Sequence, residues 1–345
     1  MHGLAIHLRT LTIATLGGAL CHAAGIPLAW MIGAMTATAA LAWFAPVAAH
    51  PWLRPAALMV LGFGFAQTFD AAVLAAVAST LPALIAGAFL SILAGIAALP
   101  VFTRLAGLDP RTGYFASIPG GVIVMVVLAQ REGVAIAPVT LAQSVRVVLV
   151  VLTFPFAVAA FATPGAEAAY LATRPPVDPW GLALLLAAGA VLSLALHRTR
   201  LANPWLLGCF GLGLALMVAE AMPSGIPGWL LDAAQVGMGT TLGSRLTRDF
   251  LLRSRRLALA AVASALVLSL LCAALALALA WLSGLPVAAV LLGLAPGGMP
   301  EMGITAKTLG LAVPLVLGFH LTRTLACNLL VGPIYRAARR AGLLR

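Results

Sequence analysis

Charged residues are scarce in this sequence: they make up 8% of its 345 residues, whereas about a quarter of a soluble domain is charged. Hydrophobic residues make up 63%, and the mean hydropathy is +1.10. So little polar surface excludes a soluble enzyme and a disordered chain, because neither would stay hydrated. The composition predicts an all-α polytopic membrane protein.

Cysteines are also few, and long hydrophilic segments are lacking. The four cysteines lie in apolar stretches without a C-x-x-C spacing, which argues against a zinc site or a disulfide framework. Only His320 and Glu301 are expected to meet, which is too few ligands for a metal centre. No hydrophilic stretch exceeds about twelve residues, which leaves no room for a DNA-binding fold. We therefore predict no cofactor, no metal, no catalytic residue and no direct nucleic-acid partner.

The net charge of +11 comes from 20 basic and 9 acidic residues. The basic residues lie in short connections between apolar runs. Their expected partner is membrane lipid, at the cytoplasmic leaflet.

Twelve apolar segments follow one another along the chain, and a membrane helix needs about 20 such residues. Their approximate ranges are 10–24, 26–45, 55–69, 73–102, 112–129, 135–162, 180–197, 203–222, 229–244, 257–283, 286–306 and 311–335.

An internal repeat relates the two halves of the chain. The motif Pro119-Gly120-Gly121 returns as Pro296-Gly297-Gly298, at an offset of 177 residues, and Arg146 returns as Arg323 at the same offset. Nearer the start of each half the offset is 175, as from Trp30 to Trp205. We therefore predict two membrane repeats, residues 1–172 and 173–345.

The basic clusters predict how these repeats cross the membrane. Clusters lie at 198–200, 245–256 and 336–345, and all three are expected to be cytoplasmic. Three apolar segments separate the last two clusters. Because both clusters are expected on the same side of the membrane, one of these three segments does not cross it. The two prolines of 296–300 make segment 286–306 the candidate. Each half then has about five crossings and one broken or re-entrant Pro-Gly-Gly segment. The odd number of crossings makes the repeats inverted, with both termini in the cytoplasm.

The runs Ile26–Gly33 and Pro204–Gly208, together with the paired Pro-Gly-Gly motifs, make the chain similar to a known family. It resembles the bacterial AbrB-duplication membrane proteins over nearly its whole length. The resemblance implies a protein of the bacterial inner membrane. Family labels include ammonia monooxygenase and regulator of gene expression. The first half departs from the family pattern at Val124, where a Glu is common.

Ionisable residues within apolar segments are costly and therefore mark candidate sites. Arg146 and Arg323 lie in the last apolar segment of each half, and each has a polar residue one helical turn earlier, Gln143 or His320. Glu301 follows the second Pro-Gly-Gly motif. Glycine exposes backbone N–H groups, and the helix that restarts after it offers a positive dipole end. The predicted binding residues are Pro119, Gly120, Gly121, Gln143, Arg146, Pro296, Gly297, Gly298, Glu301, His320 and Arg323.

These features favour a secondary transporter of a small organic anion, working by alternating access. A membrane-embedded regulator that acts indirectly on gene expression is the main alternative, and the monooxygenase of the family label is a third. Structural explanations also stay open. The Pro-Gly-Gly motifs could serve only to relieve crowding between packed helices, and His320 could be a packing residue of the core. One arginine could pair with Glu301 while the other donates to the backbone carbonyls of a broken helix. The solute, the coupling ion and the oligomeric state are undetermined, a homo-oligomer included.

The inverted topology predicts which loops are accessible from each side of the membrane. Single cysteines introduced between Glu167 and Asp178 into a cysteine-free chain should react with an impermeant thiol reagent from outside. Cysteines near Arg198, Arg253 and Arg339 should react only after the membrane is opened. An accessible C-terminus in sealed cells would contradict the inverted arrangement and favour parallel halves.

Overall fold

The computed structural model describes residues 2–160, 175–199, 203–248 and 255–344. Fifteen helices lie in these ranges. They are α1 His2–Ala23, α2 Ala29–Phe44, α3 Leu53–Ala66, α4 Ala71–Ser79, α5 Leu81–Ala106, α6 Pro110–Ser117, α7 Val122–Arg131, α8 Ile136–Ala159, α9 Pro179–His197, α10 Pro204–Val218, α11 Gly228–Gly243, α12 Arg255–Ser283, α13 Val287–Leu294, α14 Met299–Thr308 and α15 Val313–Arg340.

Six helices in the described part of the chain are long and apolar enough to span a bilayer: α1, α5, α8, α9, α12 and α15. The chain is therefore an all-α, multi-pass membrane protein. Helices α2 and α10 have 16 and 15 residues, and at about 1.5 Å per residue each is shorter than a bilayer core. The number of crossings and the inverted orientation of the halves stay predictions.

One predicted segment is divided in the structure. The apolar run 73–102 is not one helix, because α4 ends at Ser79 and α5 begins at Leu81. Helices α3 and α4 are bent by 90° relative to each other. The proline at position 82 favours a restart here, since it lacks an N–H and is best accommodated in the first turn of a helix.

The described residues form two compact units, and each unit draws on both sequence halves. The first unit comprises Met1–Ala76 and Glu167–Asp249, and the second comprises Val77–Ala166 and Phe250–Arg345. The expected repeat boundary at 172/173 lies outside the described residues, as do Arg253 and most of the loop 167–178. The repeats of 1–172 and 173–345 thus stay a prediction from sequence.

In the first unit, helices come close together at glycines. A Cβ on Gly33 of α2 would overlap the carbonyl of Gly17 in α1. On another side of α2, a Cβ on Gly239 of α11 would overlap the carbonyl of Met31. Helices α3 and α9–α11 complete this unit. Small residues let backbones approach, which is how helices associate where lipid removes the hydrophobic driving force.

Matching positions of the two halves share an unusual backbone conformation. Leu28 and Asn203, which precede α2 and α10, have φ of 58° and 52°. These values are uncommon for residues other than glycine. Gly107 and Gly284 have the same φ of 68°. The sequence repeat is therefore accompanied by recurring local structure.

The second unit consists of four long helices and two interrupted ones. Helix α12 packs against α5 and α8, and α5 also packs against α15. Helices α6 and α7 form one interrupted helix, and α13 and α14 form the other. Asp109 begins α6 by accepting a hydrogen bond from the Thr112 amide at 2.9 Å. Burial raises the pKa of Asp109, but hydrogen bonds from Thr112 and backbone amides outweigh it and hold this pKa below its ordinary value.

A polar network joins the end of α15 to the connection between α7 and α8. Arg111 donates to the Tyr335 hydroxyl at 2.9 Å and to the Glu132 carbonyl at 3.0 Å. The Glu132 carboxylate lies 3.7 Å from Arg336 and 3.6 Å from Arg339. The network fixes the last turns of α15 against α6 and α7.

The close contact of α1 and α2 can be tested with two glycine substitutions. We expect Gly33→Ala to lower the free energy of unfolding by about 1–3 kcal/mol, because the added methyl group overlaps the Gly17 carbonyl. Gly211 also lies within a helix, but a Cβ there meets nothing within 4 Å, so Gly211→Ala is the matched control. Thermal unfolding of the purified variants in detergent measures the difference. Equal melting temperatures would show that this contact does not hold the two helices together.

Candidate functional site

Both Pro-Gly-Gly motifs interrupt a helix within the second unit. Helix α6 ends at Ser117 and α7 begins at Val122; helix α13 ends at Leu294 and α14 begins at Met299. We call residues 118–121 the first break and residues 295–298 the second break. Each break leaves the carbonyls that end one half-helix without intrahelical partners, and an apolar environment makes unsatisfied carbonyls costly.

Helix α8 satisfies these carbonyls at the first break. The Gln143 side-chain amide donates from Nε2 to the carbonyls of Phe115 at 2.8 Å and Ile118 at 3.0 Å. One turn later, Arg146 donates from Nη1 to Ile118 at 3.1 Å and from Nη2 to the Gly120 carbonyl at 3.0 Å. The guanidinium thus bridges two carbonyls of the interrupted backbone.

Helix α15 does the same at the second break. Arg323 donates from Nη1 to the Ala295 carbonyl and from Nη2 to the Gly297 carbonyl, both at 2.6 Å. His320 Nε2 lies 3.0 Å from the Leu292 carbonyl, and its Nδ1 lies 2.8 Å from Arg323 Nη2. Because a guanidinium only donates, Nδ1 is the acceptor and a neutral imidazole carries its proton on Nε2.

The two sets of hydrogen bonds correspond residue by residue at the offset of 177. Each arginine bridges carbonyls that lie 28 and 26 residues before it. The polar residue one turn earlier binds a carbonyl 28 residues before itself in both halves. Glutamine and histidine therefore have the same structural task, to satisfy the end of a half-helix.

Each break also packs against the last helix of the other half. A Cβ on Gly297 would lie 3.0 Å from Val150 of α8, and Val150 is one turn beyond Arg146. Ile118 shares a buried apolar cluster with Cys327 of α15, and Cys327 is one turn beyond Arg323. The structure thus brings both breaks into a single core.

Glu301 lies in the first turn of α14 and is 3% exposed. Its Oε2 occupies the space that a Cβ on Gly298 would need. The carboxylate is therefore folded back over the second break, at the positive end of the helix dipole. Lys307 lies in the last turn of α14 and is partly exposed.

Charge in the buried part of the described structure is unbalanced. The buried residues with charged side chains there are Arg146, Arg323 and Glu301, so two guanidiniums accompany one carboxylate. Carbonyl dipoles stabilise each guanidinium, which makes the buried charges tolerable. Within the same described residues, no three side chains of His, Cys, Asp and Glu are grouped so that they would hold a metal ion.

All eleven residues predicted for the site lie at the two breaks or on the helices that cross them. One of the structural explanations holds for both arginines: each donates hydrogen bonds to backbone carbonyls at the break of its own half. Each guanidinium is therefore directed at the break of its own half.

Sequence reasoning missed two buried serines, Ser117 directly before the first break and Ser144 next to Gln143 in the sequence of α8. Their hydroxyls are buried and have no hydrogen-bond partner, as is also true of Gln143 Oε1 and Arg146 Nε. Serine is common in membrane helices, so neither residue is conspicuous alone. A comparison of the two halves would have singled them out, because Leu294 and Leu321 stand at the matching positions.

The long apolar helices and the two carbonyl-bound arginines define a polytopic α-helical membrane protein with paired interrupted helices. A family model described as "Transition state regulatory protein AbrB" matches residues 30–339. The chain therefore belongs to the AbrB family. It is 29% identical to YhjN of Bacillus subtilis (strain 168), over 94% of this chain and 91% of that protein. It is 26% identical to "Putative regulator AbrB" of Escherichia coli (strain K12), over 81% of this chain and 80% of that protein.

The carbonyl contacts predict how the arginines respond to replacement by lysine. An ammonium group is a point charge and does not bridge two carbonyls as the planar guanidinium does. We expect Arg146→Lys and Arg323→Lys each to lower the free energy of unfolding by about 1–3 kcal/mol, because buried carbonyls lose their partners. Arg198→Lys, at an exposed position, is the control. Thermal unfolding in detergent tests this, and three equal melting temperatures would argue against a structural role for the bridges.

Proposed function

We propose that the protein is a secondary transporter of a small organic anion in the bacterial inner membrane, and not an enzyme. The second unit binds the solute at the two breaks, and transport is coupled to protons or sodium. The two sequence halves are inverted in the membrane, both termini are cytoplasmic, and the basic clusters contact lipid headgroups. The solute is exposed to the two sides of the membrane in turn, by alternating access.

The paired interrupted helices support this proposal. Non-helical backbone at membrane depth is tolerated where protein or a water-filled cavity surrounds it, and transporters place their solute sites there. The arginines, Gln143 and His320 bind the carbonyl ends of the half-helices. At the opposite ends, where α7 and α14 begin, the N-cap residues are Gly121 and Gly298, so no N-cap side chain accepts a hydrogen bond from the first backbone N–H groups. These N-terminal ends are electropositive and suit an anion.

The single observation that carries the proposal is the buried positive excess, with two guanidiniums and one carboxylate in one core. A buried charge is costly unless an opposite charge or a dipole compensates it. The carbonyls compensate part of the two positive charges, and Glu301 compensates another part. An anion that binds at the breaks supplies the remaining negative charge.

The relatives' names favour a second candidate, a membrane-embedded regulator that acts indirectly on gene expression. The family description and the Escherichia coli relative both carry the word regulator or regulatory. Transport and indirect regulation are compatible, because movement of a metabolite changes its concentration in the cell. An expression change that survives loss of transport would favour regulation as a separate activity.

The anion proposal predicts that carboxylates stabilise the folded protein. A ligand that binds only the native state raises the melting temperature with its concentration. We expect at least one of lactate, succinate and benzoate to stabilise the purified wild type, and ammonium chloride to have no effect beyond that of sodium chloride.

Matched variants identify the source of any such stabilisation. Arg198→Ala should keep the full carboxylate-dependent shift. Arg146→Ala and Arg323→Ala should reduce the shift relative to their own ligand-free melting temperatures. Stabilisation by ammonium and by none of the acids would contradict an anion transporter.

A further inference from the structure

The two breaks differ at one position that decides where a ligand carboxylate is accommodated. Glu301 in α14 corresponds to Val124 in α7 at the offset of 177. The Glu301 carboxylate lies over Gly298, and the Val124 side chain occupies the same place over Gly121, with its Cγ2 3.7 Å from the Cβ position of that glycine. Each side chain thus lies nearest the glycine three residues before it, but only the second break has a carboxylate there.

The surrounding backbone is the same at both breaks. Met125 lies against Gly120 as Met302 lies against Gly297, and each methionine follows the residue under comparison by one position. Helices α7 and α14 both have ten residues, and each has a glycine at its N-cap, Gly121 and Gly298 respectively. The positive end of α14 has the carboxylate of Glu301 beside it. The positive end of α7 has an isopropyl group, which supplies no negative charge.

Unpartnered polar atoms provide independent support at the first break. Ser117 Oγ, Gln143 Oε1 and Arg146 Nε are buried and make no hydrogen bond to the protein. Gln143 and Arg146 are held at this break by their bonds to the Ile118 carbonyl, and Ser117 precedes it directly. Buried polar groups without partners are costly and indicate a bound polar species.

The second break has no such set of atoms at the matching positions. Leu294 stands in the place of Ser117, and both ring nitrogens of His320 have partners. The exposed fraction of the residues also differs between the two breaks. Gly121 and Ile123 are exposed, Ile123 by 61%, whereas α14 is buried from Met299 to Ala306.

We infer that the first break is the site at which this protein binds the carboxylate group of its solute, in the place that Glu301 occupies at the second break. This inference rests on the proposed function and makes it more specific. The solute carboxylate lies at the N-terminus of α7, near Arg146 Nε and the Ser117 hydroxyl, which both donate. Gln143 Oε1 accepts, and so favours a solute that also carries a donor, such as a hydroxyl group. At the second break, the Glu301 carboxylate already occupies the corresponding place.

The test is to give the first break its own carboxylate. In Val124→Glu, the new side chain should follow the path of Glu301 and occupy the site, and the variant should fold because the second break accommodates the same residue. Val124→Gln has nearly the same shape without the charge and is the matched control. Melting temperatures of the full-length variants are measured with lactate, succinate and benzoate at equal concentrations.

We expect Val124→Glu to abolish the carboxylate-dependent shift, which corresponds to a loss of affinity of about tenfold or more, and Val124→Gln to keep most of it. Equal shifts in Val124→Glu and the wild type would overturn the inference and leave the proposed function standing. If none of the three acids stabilises the wild type, both fail.

A second variant applies if Val124→Glu is not recovered as a folded protein. Ser117→Leu copies the residue of the second half, and it should also weaken the shift by about tenfold, because a donor to the carboxylate is replaced by a methyl-bearing side chain. An unchanged shift in Ser117→Leu would likewise overturn the assignment of the first break.

Discussion

Two guanidinium groups that bind backbone carbonyls are the interaction on which the second unit depends. An interrupted helix in lipid has carbonyls that water does not reach, and each one left unsatisfied costs several kcal/mol. Arg146 and Arg323 each satisfy two of them, and Gln143 and His320 extend the same coverage by another turn. The half-helices keep their geometry because these side chains, from a neighbouring helix, replace the missing intrahelical partners.

This arrangement explains why a carbonyl-bound arginine is compatible with an anion site. The guanidinium donors of Nη1 and Nη2 are engaged in structure, so the positive charge is held in place by the backbone. The field of that charge is still present in the core, and it adds to the positive ends of α7 and α14. In the proposed transporter, the arginines thus stabilise the breaks through hydrogen bonds and attract the solute through their charge.

The two sequence halves share the same framework at their breaks. Glycines, arginines and methionines correspond at the offset of 177, and so do the carbonyls that the arginines contact. The differences beside the breaks are at Ser117 and Val124, which stand against Leu294 and Glu301. One copy has a carboxylate of its own, and the other has polar atoms without partners.

The sequence by itself determined the membrane class, the interrupted helices and the eleven residues predicted for the site, because burial of a charge or of free carbonyls in lipid is costly wherever it occurs along the chain. It did not determine which carbonyls each arginine binds, nor that the Ser117 hydroxyl is buried without a partner beside the first break. It also did not show that each compact unit combines matching parts of both halves. Only the tertiary structure decided these points, since they depend on how helices distant in sequence pack, and packing depends on the shapes of both partners.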